Sequence, residues 1–455
     1  MGADRSRLPG LGVDPVFRFP AIGRHTMTNG LQLRTVEHAS VPVVTLVLQI
    51  DGGSGADPAA LGGLAAMTAD MVDEGTGALS AIEVSEALAM IGGEYDVEVG
   101  PDATVFTLTT LTRFAERGAA LLAAIVTQPS MHADDFDRVR QLRLDRLKQI
   151  KDLPPAVAER AFLKLLYADH PYGHLSIGSD SSLRRMRLED AVAFHASRFT
   201  PSRATLVAAG ALSHDALVRV VEHAFGGWSD GPSAETTAAA DIEPATRPGP
   251  RLAVVPRDGA AQSELRIGLL AAGRTTPDYP ALVVMNAVLG GQFVSRIMLK
   301  LREEKGFTYG ARTGFDWRRG IAPFSLQSSV QTVSTAEAIQ DSLTELEAIR
   351  QSRPPAAEEM ALSKASLTRG YPRNFETAQQ VARSVAQLAL YGLPDSYFEE
   401  FTTRINAITP EAVTAVAQQY LDPSRFVTLV VGDHRAIGGS LGSLGLGEPE
   451  LLPAE

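Results

Sequence analysis

Apolar and polar positions alternate along two stretches early in the chain. Val44, Leu46, Leu48 and Ile50 fall on every second residue, as do Thr104, Phe106 and Leu108. A period of two marks a strand with one face turned to a core, so both stretches are expected to be half-buried strands. Asn29-Gly30, set between strand-like runs, reads as a hairpin turn. From about Leu61 to Val72 the spacing lengthens to that of a helix, with Leu64, Thr68, Met71 and Val72 on one side. Ser80-Ala81-Ile82-Glu83 reads as a capping box, in which Ser and Glu satisfy free N–H groups at the start of the next helix. The same grammar returns later. Leu265, Ile267 and Leu269 form a strand, Tyr279 to Leu289 a helix, and Ser334-Thr335-Ala336-Glu337 caps a helix carrying Ile339, Leu343 and Leu346. Strands followed by segregated helices predict an α+β fold with mainly antiparallel sheets.

An internal repeat sharpens that picture. Phe199-Thr200-Pro201-Ser202-Arg203 leads into an apolar strand ending near Gly210, and Leu421-Asp422-Pro423-Ser424-Arg425 leads into one ending near Gly432. The offset is 425 − 203 = 222 residues, so the chain reads as two homologous domains. Ser229 to Pro250, rich in Ala, Thr and Pro with Ile242 as its one sizeable aliphatic, has the composition of a linker. The expected division is 20–228, a linker 229–250 acting as a hinge, 251–435, and a loosely packed tail 436–455.

Composition narrows the function. With 455 residues, 45% hydrophobic and 21% charged, the chain is globular and long enough for more than one core. The net charge, 42 − 53 = −11, argues against a nucleic-acid partner, which selects a basic face. Cysteine is absent, which removes thiol catalysis and Cys-ligated metal. No apolar run reaches the length of a membrane span, and Met1 to Pro20 lacks the apolar core of a secretory signal. The expected compartment is the cytoplasm, or the periplasm if a signal has been removed. Nine histidines form no His-Glu-x-x-His or His-x-x-Glu-His pattern. His170 and His174 share His-Pro-Tyr-Gly-His, where Pro171 and Gly173 make a turn and not a helix face that could aim two imidazoles at one ion. Gly52-Gly53-Ser54-Gly55 lacks the spacing of a phosphate loop and reads as a strand exit.

The stretch from Gly62 to Thr76, Gly-Gly-Leu-Ala-Ala-Met-Thr-Ala-Asp-Met-Val-Asp-Glu-Gly-Thr, resembles one segment of the pitrilysin/insulinase zinc peptidases, the inverzincins. In that family His-x-x-Glu-His lies within such a frame. Here Ala66, Ala69 and Asp70 stand at His, Glu and His. The family's third ligand is a Glu some seventy-odd residues on, and no glutamate occurs between Glu116 and Glu159. Alanine offers no donor at zinc distance, so the resemblance implies a degraded metal site and no metal bound by this chain. His170-Pro171-Tyr172, Arg198-Phe199-Thr200-Pro201, and Leu289-Gly290-Gly291 followed by Ser295-Arg296 and Leu301-Arg302-Glu303-Glu304-Lys305-Gly306-Phe307-Thr308-Tyr309 extend the resemblance over roughly Thr28 to Gly432.

The resemblance implies half of a clam-shell chamber in which Arg302 and Tyr309 are the catalytic pair. Arg302 would hold substrate carbonyls with its forked donors, and Tyr309 would donate its O–H to the scissile carbonyl oxygen. Arg296 and Arg312 are nearby alternatives for the cation. The sheet edge at Gly92-Gly93-Glu94 is where the family adds a substrate strand, main chain to main chain. The implied assembly is a heterodimer with a homologous His-x-x-Glu-His subunit that carries the zinc and acts on peptide or unfolded polypeptide, this chain being inactive alone. The short Gly290-Gly291-Gln292-Phe293 segment favours a bacterial-type two-chain peptidase over mitochondrial presequence recognition. The alternatives are a non-catalytic scaffold or peptide-binding pseudopeptidase, and a homodimeric zinc enzyme with an unusual site.

Overall fold

The computed structural model describes residues 17–77, 79–231, 238–244 and 251–453. Most of the region read for a secretory signal, and much of the expected linker, lie outside them. The fold is α+β, built on two six-stranded sheets. The first uses β1 (Ile22–Thr26), β2 (Gln32–Glu37), β3 (Val43–Asp51), β4 (Glu94–Val99), β5 (Ala103–Leu111) and β6 (Ala204–Gly210) in the order β1-β2-β6-β3-β5-β4. The second uses β7 (Leu252–Pro256), β8 (Gln262–Leu270), β9 (Thr308–Phe315), β10 (Pro323–Gln331), β11 (Val427–Gly432) and β12 (Glu450–Leu451) in the order β9-β10-β8-β11-β7-β12. Five strands of each correspond in order and sense. β2 and β6 are parallel like β7 and β11, and the remaining shared pairs are antiparallel. The duplicated Pro-Ser-Arg signal is a 3-10 turn before the equivalent strands β6 and β11.

The helices that matter for the argument are α1 (Leu64–Met71), α2 (Ala81–Met90), α3 (Ala133–Lys151), α4 (Pro154–Tyr167), α5 (Tyr279–Leu289), α6 (Thr335–Ala348) and α7 (Ala378–Leu390). Val44, Leu46, Leu48 and Ile50 face the first core, as their alternation predicts. The other face of β3 is buried as well, against the half-buried expectation: Thr45, Val47 and Gln49 are all inside. The covering element comes from the second half. Val381, Ala382, Val385 and Ala386 of α7 pack on Val36, Val47, Val207 and Ala209. The second sheet is covered reciprocally by the first half, where Val157, Ala158 and Phe162 of α4 pack on Ala253, Val255, Leu429 and Val431.

Polar contacts tie the same seam. Asp102 accepts from Tyr172 Oη and, at 2.8 Å, from the backbone N–H of Arg319, whose guanidinium pairs with Asp51. Tyr167 Oη donates to the carbonyl of Ile321 at 2.6 Å. Arg266, buried beneath α4, pairs with Glu264 and lies 3.5 Å from Glu159. Ala239 is buried, and the carbonyl of Ile242 bonds His170 Nε2 at 2.9 Å, so this part of the connection is docked. A hinge around the linker does not hold, because opening it would strip both exchanged helices from their sheets. The loosely packed tail is also corrected: Ile437 and Leu441 are buried, and β12 pairs with β7.

Local readings met mixed outcomes. Asn29-Gly30 turns the β1–β2 hairpin with Gly30 at φ 92°. Ser80 and Glu83 form the capping box of α2. Ser334 gives α6 no side-chain cap, because a 3-10 turn from Thr332 to Ser334 leads into the helix and Lys305 takes Glu337 at 2.6 Å.

Gly268 sets the depth at which α4 seats. A Cβ there would lie 2.1 Å from the carbonyl oxygen of Phe324 and 2.9 Å from the ring of Phe162. Gly268→Ala should cost about 1–3 kcal/mol by overpacking, read as a lower denaturation midpoint. Probes placed in either half should shift together, since Phe162 belongs to the first half and Gly268 to the second.

Candidate functional site

The helix that the family frame singles out is held tightly at its start. Asp57 accepts the backbone N–H groups of Gly63 and Ala65 at 2.6 and 2.7 Å, anchoring the N-terminus of α1 with a buried negative charge. His174 Nε2 contacts the same carboxylate at 2.9 Å, and Ser182 Oγ donates to the carbonyl of Gly62 at 2.7 Å. Gly63, at φ 97°, is obligatory because a Cβ would meet Gly178 Cα at 2.8 Å. His174 is thus an orienting contact of a turn, and His170 serves the connection to the second half.

Every residue of α1 except Asp70 is buried. Ala66 and Ala69 present methyl groups where the frame calls for donors. Asp70 is half exposed and accepts from Arg143 Nε of α3 at 2.7 Å. Arg143 lies 143 − 70 = 73 residues on, in the region where the resemblance places a third carboxylate. A guanidinium stands where a metal site needs an anion, so the donor set does not fit zinc. Among the described residues no group of His, Asp and Glu side chains is placed to hold an ion.

Around Asp70 lies a cavity of about 630 Å³, lined by Asp73, Glu74, Tyr95, Arg143 and Arg146 among others. Burial, reinforced by Glu74 and Asp70, pushes the Asp73 carboxyl up to about 6. Burial and then Asp73, Asp70 and Asp96 raise the Tyr95 phenol well above its ordinary value, and its Oη has no hydrogen-bond partner. Gly92, at φ 59°, ends the turn after α2, and Gly93 leads into β4 at Glu94. β4 pairs only with β5, so its outer edge is unpaired among the described strands. Asp96 and Glu98 point to the opposite face, toward Arg383 at 2.9 and 3.7 Å.

Arg302 and Tyr309 do not line that cavity. They sit at the free edge of the second sheet, and the structure brings the two together. Arg302 comes from a π-helical turn, Leu299–Glu304, and its guanidinium carbon lies 5.6 Å from the Tyr309 ring centroid. On its other contact it lies 4.3 Å from the ring of Phe293. Such exposed cation–π contacts are worth about 0.5–1 kcal/mol each, enough to bias one rotamer. The Arg302 ion pair is weak, with Nε 3.4 Å from the Glu303 carboxylate. Tyr309 is 93% exposed. A β-bulge between Thr308 and Ala311 turns it outward, and the hydroxyls of Thr308 and Ser328 bond the carbonyl of Gly310 at 2.9 and 3.0 Å.

The alternatives to Arg302 separate. Arg296 is buried and committed to Glu359, with both nitrogens at 2.6 Å, and to the carbonyl of Arg353 at 2.7 Å, so it anchors the fold and does not face substrate. Arg312 stays exposed with a hydrogen bond to Gln327 at 3.0 Å. Sequence reasoning missed Arg143 and gave Phe293 and Tyr95 no role of their own. The last had a signal: Gly92 and Tyr95 stand 214 residues before Gly306 and Tyr309, and both glycines are left-handed, at 59° and 64°.

Residues 34–179 match the family described as insulinase (peptidase family M16), and residues 185–367 match the peptidase M16 inactive domain. An uncharacterized zinc protease of Mycobacterium tuberculosis is 27% identical over 417 residues, spanning 90% of this chain and 93% of the relative. The probable mitochondrial-processing peptidase subunit beta of Arabidopsis thaliana is 23% identical over 419 residues, spanning 87% and 75%. A solved peptidase M16 inactive domain from Pseudomonas fluorescens superposes with a TM-score of 0.83 at 25% identity, covering 90% of this chain and 98% of that one. A protease from Helicobacter pylori gives 0.85 at 19% identity, covering 91% and 100%, a likeness of fold alone.

Asp73 generates a pH test. Its folded-state value of about 6 lies above the ordinary carboxylate value, so the folded protein keeps a proton that the unfolded chain has released. This group's stabilisation is therefore complete below about pH 4 and is lost as the pH rises through 6. Asp73→Asn should outlast the wild type above pH 6 by about 1–2 kcal/mol, with the gap closing below about pH 4, in melting curves taken across that range.

Proposed function

The chain belongs to peptidase family M16, and we propose that it is the metal-free subunit of a two-chain zinc endopeptidase. In this reading a homologous His-x-x-Glu-His subunit supplies the ion, and the two chains face each other across a chamber of which this chain is one half. Arg302 holds backbone carbonyls of an extended peptide. Tyr309 donates a hydrogen bond to the scissile carbonyl oxygen as negative charge gathers there, an interaction stronger in the transition state than in the bound substrate. The β4 edge at Gly92, Gly93 and Glu94 pairs with a remote part of the peptide.

The observation that carries the proposal is an asymmetry between two sites. At α1 the donors are gone and Arg143 neutralises the one carboxylate left. At the start of β9 Tyr309 stands in solvent at a bulge, with the Arg302 guanidinium 5.6 Å from its ring centroid. A scaffold would need no tyrosine standing in solvent beside an arginine.

The test uses the chain alone and with its homologous subunit recovered from the native source. Alone it should retain no stoichiometric zinc on elemental analysis and cleave nothing; together the two should hydrolyse peptides. Tyr309→Phe should then lower kcat by about 10²–10³ while the complex still forms. Unchanged turnover in that variant would leave the scaffold reading standing, and stoichiometric zinc in the chain alone would favour the homodimeric enzyme.

A further inference from the structure

The cavity of about 630 Å³ between α1, α3 and β4 has an aliphatic wall and an acidic end. Val97, Val139, Leu142 and Ile177 line the wall, and Leu142 is 59% exposed. Asp70, Asp73, Glu74 and Asp96 border the cavity together with Arg143 and Arg146. Three of these four carboxylates already hold a guanidinium. Asp70 takes Arg143 at 2.7 Å, Asp96 takes Arg383 at 2.9 Å, and Glu74 pairs with Arg138. Arg146 donates to the side chain of Gln149 at 3.2 Å. Asp73 is the exception, with no cation paired to it among the described residues.

Two polar groups at the acidic end therefore lack what burial requires. The Asp73 carboxylate carries its charge beside the like charges of Glu74 and Asp70. The Tyr95 hydroxyl is buried with no hydrogen-bond partner, an arrangement that costs the full desolvation of the group. Of the charges around that phenol Asp73 acts on it most strongly, so both groups open on one end of the cavity. Asp73 also stands two residues past Met71, where the C-terminus of α1 adds its own partial negative charge.

A cation that carries N–H groups on a hydrocarbon stem meets all of these features at once. Its N–H groups donate to the Asp73 carboxylate and to Tyr95 Oη, and its stem covers the aliphatic wall. A bare metal ion meets fewer of them. It has no stem, and among the described residues no group of His, Asp and Glu side chains is placed to hold it. An anion is opposed by the unpaired carboxylate.

We propose that this cavity binds an organic cation, an ammonium or guanidinium on a hydrocarbon stem, with Asp73 as its counter-ion and the Tyr95 hydroxyl as a second acceptor. A free aliphatic amine carries such a group, and so does a lysine or arginine side chain of a peptide. The inference stands apart from the reading of Arg302 and Tyr309, which lie outside the cavity.

The experiment titrates the full-length chain by calorimetry with three probes. They are cadaverine and two N-acetylated unstructured peptides of one sequence, with lysine or norleucine at a central position and no other basic residue. The lysine peptide should bind at least about tenfold more tightly than the norleucine peptide. Asp73→Asn should weaken it about tenfold or more, and Tyr95→Phe about two- to tenfold, the losses expected of a charged and of a neutral hydrogen bond. Asp258→Asn, which removes an exposed charge in the second half, should change nothing. Circular dichroism separates a lost contact from a lost fold, and if Tyr95→Phe does not fold, Asp73→Asn decides. Cadaverine binding with the same dependence on Asp73 makes a free amine sufficient, whereas binding of the lysine peptide alone makes the ligand a side chain. The proposal is overturned if neither amine probe binds, or if the two peptides bind equally and cadaverine does not bind. Affinities untouched by Asp73→Asn overturn it too, and an equal loss in Asp258→Asn assigns the binding to net charge with the same result.

Discussion

The exchange of α4 and α7 is the constraint on which the rest of the molecule depends. A sheet with two apolar faces needs two covers, and each half supplies its own helices for one face only. The second cover is contributed by the other half, in both directions. Burial on this scale is worth tens of cal/mol per Å², so neither sheet can keep its second face apolar without its counterpart. The polar contacts at Asp102 and Arg266 follow from it. They are buried because the helices cover them, and each is paired because an unpaired charge in that setting costs several kcal/mol.

This constraint also decides what the sequence could reveal. Strand periodicity named the face of β3 that meets the first core, since Val44, Leu46, Leu48 and Ile50 sit on alternate residues. Thr45, Val47 and Gln49 carry no such label, because their cover lies more than three hundred residues away and the face itself includes a threonine and a glutamine. The helix Tyr279 to Leu289 and the Ser80 cap were legible because both depend on neighbours within a few positions. The Ser334 reading failed on a tertiary competitor, Lys305, which no local pattern announces. At the site, the absent donors at Ala66 and Ala69 could be read directly. The identity of what replaced them, Arg143 against Asp70, required the packing of α3 on α1.

α1 is anchored firmly although Ala66 and Ala69 offer no metal donors. Asp57, His174 and Ser182 still fix its first turn, and Gly63 still permits the close approach to Gly178. These contacts serve the core as much as any site, since the rest of the helix is buried. The second half shows the converse arrangement. Its corresponding glycine and tyrosine, Gly306 and Tyr309, lie beside a bulge that sends the phenol into solvent, while Tyr95 is drawn inward beside carboxylates. One duplicated plan thus yields a packing tyrosine in one copy and an available donor in the other.

The reciprocal covering has a consequence for synthesis on the ribosome. The last strand of the first sheet is complete at Gly210, but α7 begins at Ala378, 378 − 210 = 168 residues later. At about 5–20 residues per second the nascent chain carries an uncovered apolar face for roughly 10–30 s. During that interval the first sheet is a substrate for chaperones and a hazard for neighbouring nascent chains. A slow or stalled ribosome within the second half would therefore endanger the first half, although every residue of that first half had already been made.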